Sequence, residues 1–136
     1  DPHLAATTVR ENLRLGDPTA TDDTLRAALR TVALDDWTDR LDTRIGPNGA
    51  GASGGEARRL ALARALLRAP HADLVLLDEP TAHLDEPTAA RVLANLRRAL
   101  AGRTVVLVTH RPLEARDATM VLSIDNGQVN VLTPVA

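Results

Sequence analysis

"LVLLDEPTAHLDEPTAARVLANLRRALAGRTVVLVTH" (residues 74–110) changes period twice. It opens on four consecutive apolar residues and passes to a helical spacing that puts Val92, Leu93, Leu96 and Leu100 on one face. It closes on a second apolar run, residues 105–108, flanked by Thr104 and Thr109. Short unbroken apolar runs suit strands covered on both faces, so residues 74–77 and 104–109 are expected to be buried strands. Strand, helix and strand in that order predict a parallel βαβ unit and place the chain in the α/β class. Downstream, residues 121–124 and 129–132 flank Asp125-Asn126-Gly127-Gln128, whose Asn-Gly pair predicts a hairpin.

Upstream of residue 74 the pattern is helical. Residues 7–13 form one short predicted helix, and after the Gly16-Asp17-Pro18 turn Thr21, Asp22 and Asp23 supply a cap and first-turn acids for a longer one. Its apolar face is Leu25, Ala28, Leu29 and Val32. Asp35 or Asp36 is placed to cap a further short helix holding Trp37 and Leu41. Residues 45–51 read as a glycine-rich loop, and residues 54–68 as a helix with Leu60, Ala63 and Leu67 inward, closed by Pro70. A helical part over about 1–70 therefore precedes an α/β part over about 71–136, with no internal repeat and no clear linker between them.

Composition narrows the function. The 136 residues are 44% hydrophobic, enough for a core, and contain no cysteine, which removes disulfides and thiolate metal sites. A net charge of −2 gives no electrostatic reason to expect nucleic acid. The apolar runs are too short to span a bilayer and no basic-then-apolar leader opens the sequence, so the chain as given is expected to be soluble. All 16 basic residues are arginine. Chemistry that needs a lysine must therefore come from elsewhere.

Three short stretches carry candidate chemistry. Ser53-Gly54-Gly55-Glu56 fits a capping box, which accounts for Ser53 and Glu56 without any ligand. It leaves Gly54 and Gly55 unexplained, since each costs about 1 kcal/mol against alanine in a helix. Glycines at a helix start allow a backbone to approach phosphate, so capping and phosphate contact both stand. Asp78 and Glu79 follow an apolar strand, at the carboxyl edge where ligands of parallel sheets bind. There a carboxylate can hold Mg²⁺ through water and its neighbour can activate an attacking water; the plainer reading is an aspartate capping the next turn. His110 emerges past the second strand, where adjacent parallel strands would bring it beside Asp78 and Glu79. His3, His71 and His83 read as surface or structural residues.

Together these residues resemble the nucleotide-binding domain of ABC transporters, a P-loop NTPase fold. Ala52 to Glu56 looks like the signature loop, residues 74–78 like the Walker B strand, Glu79 like the catalytic glutamate, residues 81–85 like the D-loop, and His110 like the switch histidine. The stretch "DPHLAATTVRENLRLG" (residues 1–16) resembles the exporter segment that follows the Q-loop glutamine and lies against the coupling helices of the membrane domain, with Asp1 directly after that glutamine. Within exporters, "GGEARRLALARALL" and "DEPTAHLD" look most like the CydC-type subfamily, which exports cysteine and glutathione in support of cytochrome bd assembly.

The resemblance implies ATP and Mg²⁺ as cofactors, and a second ABC ATPase domain as partner, either the same in sequence or different and then CydD-like. It also implies a membrane domain on the same full-length chain and a place at the cytoplasmic face of the inner membrane. Ser53, Gly54, Gly55 and Glu56 would meet ATP held by the partner domain. Asp78 would organise Mg²⁺ through water, Glu79 and His110 would act in catalysis, and Asp85 would couple the two sites. The sequence departs from the family in three ways. No GxxxxGK(S/T) loop occurs, so the chain reads as the carboxyl-terminal part of a domain that alone neither binds ATP tightly nor hydrolyses it; Ala52 stands for the usual leucine, and Glu56 for the commoner glutamine. SMC-type DNA-maintenance ATPases share the same motif order and are the alternative, against which stand the absent basic face and heptads.

Overall fold

The computed structural model describes residues 3–132; Asp1, placed after the Q-loop glutamine by the resemblance, lies outside them. The first half is a small helical body. Thr8 caps α1 (Val9–Arg14) and Thr21 caps α2 (Asp22–Thr31), each hydroxyl accepting the backbone N–H three residues on. The longest helix, α3 (Gly54–Arg68), runs against both. Leu13, Leu25, Leu29, Val32, Trp37, Ile45 and Leu60 are almost fully withdrawn from water and form one core, with Ala63 and Leu67 on the same face of α3, as the spacing predicts. Buried Asn12 is fully engaged: it accepts from Ala5 N at 2.8 Å and donates to the carbonyls of Ala5 and Thr8, which pins the entering segment to α1.

Two local expectations are corrected. Residues 35–37 form a single 3₁₀ turn rather than a helix reaching Leu41, and neither aspartate caps it. Asp35 instead pairs with Arg91 at 3.3 Å, and Trp37 is drawn into the core. Beyond α3, a 3₁₀ turn over Ala69–His71 absorbs Pro70 and leads into the second half.

That half contains β1 (Leu74–Asp78), α4 (Glu86–Ala99) and β2 (Thr104–Val108), with β1 and β2 parallel and Leu77 opposite Leu107. The predicted βαβ unit is present, and a smaller core gathers Leu77, Val92, Leu96 and Leu100, with Leu62 and Leu66 of α3 packed against both cores. The strands are not buried on both faces as expected. Leu74 is 56% and Leu76 66% exposed, while Val106 and Val108 are also open on β2. α4 covers one face of the pair; nothing in the described chain covers the other. The hairpin of β3 (Val121–Asp125) and β4 (Gln128–Leu132) is antiparallel and turns through Asn126 and Gly127 at φ 48° and 77°, the primed geometry that an Asn-Gly pair favours.

Gly16 marks the tightest approach in the helical body. A Cβ there would lie 2.2 Å from the carbonyl oxygen of Arg64, so the turn that leaves α1 meets α3 backbone to backbone. Gly16→Ala is expected to destabilise the protein by about 1–3 kcal/mol by forcing the turn after α1 away from α3, read as a lower denaturation midpoint. An unchanged midpoint would show that this contact relaxes freely.

Candidate functional site

Glu79 and His110 meet at the carboxyl ends of neighbouring strands. The parallel register pairs Asp78 with Val108, so the next residues of each strand leave the sheet at one edge. The backbone N–H of Glu79 donates to the carbonyl of Val108 at 2.9 Å and fixes the turn. Glu79 holds φ 44°, a left-handed conformation uncommon for a side-chain-bearing residue and one that gathers at functional sites. Its Oε1 lies 2.8 Å from Nδ1 of His110. Both side chains remain open to solvent, 44% and 70% exposed. They line a cleft of about 290 Å³ with Ala82, His83, Leu84 and Arg111. A larger apolar hollow of about 440 Å³ adjoins it between α4 and the turn over Pro112–Ala115, but Glu79 is not in its lining.

Asp78 stands exposed at the end of β1 beside this pair. Among the described residues no three histidine or acidic side chains are grouped to hold a metal by themselves. A single hard carboxylate oxygen suits Mg²⁺, which keeps several waters and takes other ligands from phosphates. Asp85 is engaged locally. It caps α4, accepting from Thr88 N at 3.0 Å, and that N–H holds its carboxyl below the usual carboxylate range.

The loop at Ser53 lies outside the Glu79–His110 cleft. Here the capping box is complete, Ser53 Oγ accepting from Glu56 N at 3.3 Å and Glu56 Oε2 accepting from Ser53 N at 2.7 Å. Trp37 Nε1 donates to the other Glu56 oxygen at 2.9 Å. The Ser53 hydroxyl and N–H, and then Trp37, hold the Glu56 carboxyl below its ordinary range against the opposing effect of burial. Both oxygens of Glu56 are therefore occupied inward. Around Gly54 there is open space: an added Cβ would meet nothing within 4 Å. Capping thus accounts for Ser53 and Glu56, while Gly54 leaves a bare helix start facing solvent.

Sequence reasoning passed over Trp37 as part of the site, and it passed over Glu114. The signal for Glu114 was an acid four residues beyond His110; for Trp37 there was none short of the fold, because 19 residues separate it from Glu56.

The ABC transporter family model matches residues 1–82, which take in Ser53, Gly54, Gly55, Glu56, Asp78 and Glu79. The chain belongs to the ABC transporter family. Its resemblance is to the exporter-type nucleotide-binding domain. Over 129 residues it is 42% identical to the glutathione/L-cysteine transport system ATP-binding/permease protein CydC of Escherichia coli, covering 93% of this chain and 22% of that one. Over 125 residues it is 43% identical to the beta-(1→2)glucan export ATP-binding/permease protein NdvA of Rhodopseudomonas palustris, covering 89% of this chain and 20% of that one. A solved bacterial Atm1-family ABC exporter with ATP bound superposes with a TM-score of 0.78 at 30% identity, over 92% of this chain and 22% of that one. This ABC chain thus spans about a fifth of the length of the relatives it matches. None of these three is a DNA-maintenance ATPase, and no described helix is long and apolar enough to cross a membrane.

Proposed function

We propose that this chain is the carboxyl-terminal part of an ATP-hydrolysing domain of an ABC exporter, with a helical signature part over about 1–70 and a catalytic lobe over about 71–136. The observation that carries this reading is the Glu79–His110 pair, 2.8 Å apart at one edge of a parallel sheet, in a cleft that the Ser53–Glu56 loop does not enter. One chain then serves two sites. Asp78, Glu79 and His110 act on ATP held by their own domain, while Gly54 and Gly55 present N–H groups, and Ser53 its hydroxyl, to the terminal phosphate of ATP on a partner domain. Glu56 braces that loop from behind. Asp85, at the head of α4, would couple the two sites.

Within the domain, Glu79 orients and deprotonates the attacking water and His110 donates to the phosphoryl oxygens as charge builds. Asp78 would hold Mg²⁺ through water, and the ion would neutralise phosphate charge. The bare face of β1 and β2 supports the view that further chain completes the sheet, since exposed Leu74, Leu76, Val106 and Val108 make a patch of the kind that marks an interface. That further chain would supply the lysine-bearing phosphate loop and the membrane helices, and the assembly would work at the cytoplasmic face of a membrane with a second ATPase domain, CydD-like if the pair is mixed.

For the substrate, glucan- and thiol-exporting relatives match almost equally, at 43% and 42% identity, so the choice rests on "GGEARRLALARALL" and on experiment. We propose cysteine or glutathione. The full-length protein, with any partner subunit, in inside-out vesicles is expected to accumulate glutathione or cysteine in an ATP-dependent manner. Accumulation of beta-(1→2)glucan alone would overturn the thiol assignment and leave export standing, whereas absence of Mg²⁺-dependent ATP hydrolysis would remove the ATPase reading itself.

A further inference from the structure

Glu114 is the only charged side chain that is buried among the described residues, 6% exposed, and no role proposed above uses it. A carboxylate withdrawn from water is costly unless its oxygens are hydrogen-bonded or paired. Here both are. Oε1 accepts the hydroxyl of Thr81, itself buried, and faces Arg111 Nη1 at 3.5 Å; Oε2 accepts the hydroxyl of Thr109 at 2.8 Å. Thr109 Oγ1 in turn accepts from the backbone N–H of Arg111 at 3.0 Å. From α4, Arg97 donates to the Glu114 carbonyl at 2.9 Å and pairs with Asp117, fixing the turn that carries the carboxylate.

The two hydroxyl donors belong to different loops. Thr81 lies two residues after Glu79, and Thr109 immediately precedes His110. One buried carboxylate therefore ties together the loops that present the reacting pair. Otherwise those loops are joined by the Glu79 N–H to Val108 carbonyl bond and by the solvent-exposed Glu79–His110 contact. The exposed contact is the one a phosphate or water would displace. We propose that Glu114 is a positioning residue: by bridging Thr81 and Thr109 it keeps Glu79 and His110 at one reacting centre after their direct contact is given up to substrate. This rests on the roles assigned to Glu79 and His110 above.

The test is steady-state MgATP hydrolysis by the full-length protein in lipid, with Glu79→Gln as reference. Misplacement of reacting groups by about 1 Å can cost on the order of 100-fold. Glu114→Ala is therefore expected to lower kcat by about 10- to 100-fold with KM for ATP changed less than about twofold. Glu114→Gln keeps one acceptor oxygen and gains an N–H₂ group that a rotated threonine hydroxyl can accept, and is expected to restore most of kcat. A residue that only stabilised the fold would lower the amount of active protein and leave kcat per folded molecule normal in both Glu114→Ala and Glu114→Gln. Thr109→Val removes one arm of the bridge in an isosteric change; it is expected to lower kcat several-fold and to add little further loss on top of Glu114→Ala, and it carries the test if Glu114→Ala is not recovered folded. Normal kcat in Glu114→Ala or Thr109→Val beside an inactive Glu79→Gln overturns the positioning role alone. Normal turnover in Glu79→Gln overturns the assignment of the pair, and the positioning role with it.

Discussion

In the full-length protein, Glu79→Gln is expected to lower MgATP turnover by about 100-fold or more and to leave nucleotide binding within a few-fold, because it would remove the proposed base and little else. Glutamine has nearly the same shape, and its amide still reaches Nδ1 of His110, which lies 2.8 Å from the present carboxylate oxygen. The turn is held by the backbone bond from Glu79 N to the Val108 carbonyl, which the substitution does not touch. The side chain is 44% exposed, so no core packing is lost. What disappears is the negative charge and the capacity to take a proton from water. Binding and turnover should therefore separate: equilibrium binding of a fluorescent ATP analogue stays near normal while phosphate release nearly stops. Near-normal phosphate release would mean that another group is the base and that the 2.8 Å pair is a structural contact.

The βαβ order was legible because residues 74–110 change period where the elements change, and the hairpin because Asn126-Gly127 admits few other conformations. The capping box at Ser53 and Glu56 was legible for the same local reason: its partners are three residues apart. The degree of strand burial was misread by the same logic that found the strands. An unbroken apolar run reports that both faces are meant to be covered, and it says nothing about whether the covering elements belong to the same stretch of chain. Leu76, two-thirds exposed beside buried Leu77, is the result. Asp35 and Asp36 were misread because a good cap residue is only an offer: the pull of Trp37 into the core and the pairing of Asp35 with Arg91 from α4 decided the turn instead. Among the site residues, Asp78, Glu79 and His110 could be brought together by register alone. Glu114 could not, since its meaning depends on Thr81 and Thr109 arriving on the loops that follow two different strands.

Trp37→Ala is expected to cost the helical half about 3–5 kcal/mol, the largest stability effect of any single substitution considered. Trp37 is 2% exposed, and its ring is sandwiched by burial on one side and the Arg40 guanidinium 4.2 Å from its centroid on the other. Truncation leaves a large cavity in the core shared by α2 and α3, and it takes a donor from a charged partner, Glu56. Trp37→Phe separates the two losses: most of the packing survives, while Glu56 Oε1 loses its N–H donor, at a cost of about 1–3 kcal/mol. The two cores of the chain are distinct clusters, so the damage should be local. Hydrogen exchange of the full-length protein is expected to show loss of protection in α2 and α3 for Trp37→Ala, a smaller loss centred on the first turn of α3 for Trp37→Phe, and little change in β1 and β2. Equal loss of protection in the strands would show that the halves open as one unit, with Leu62 and Leu66 of α3, which touch both cores, transmitting the disruption. Glu56 is the brace through which Trp37 reaches the loop bearing Gly54. A protected core with a loosened first turn in Trp37→Phe would therefore locate the contribution of Trp37 at the surface proposed to meet the partner's ATP.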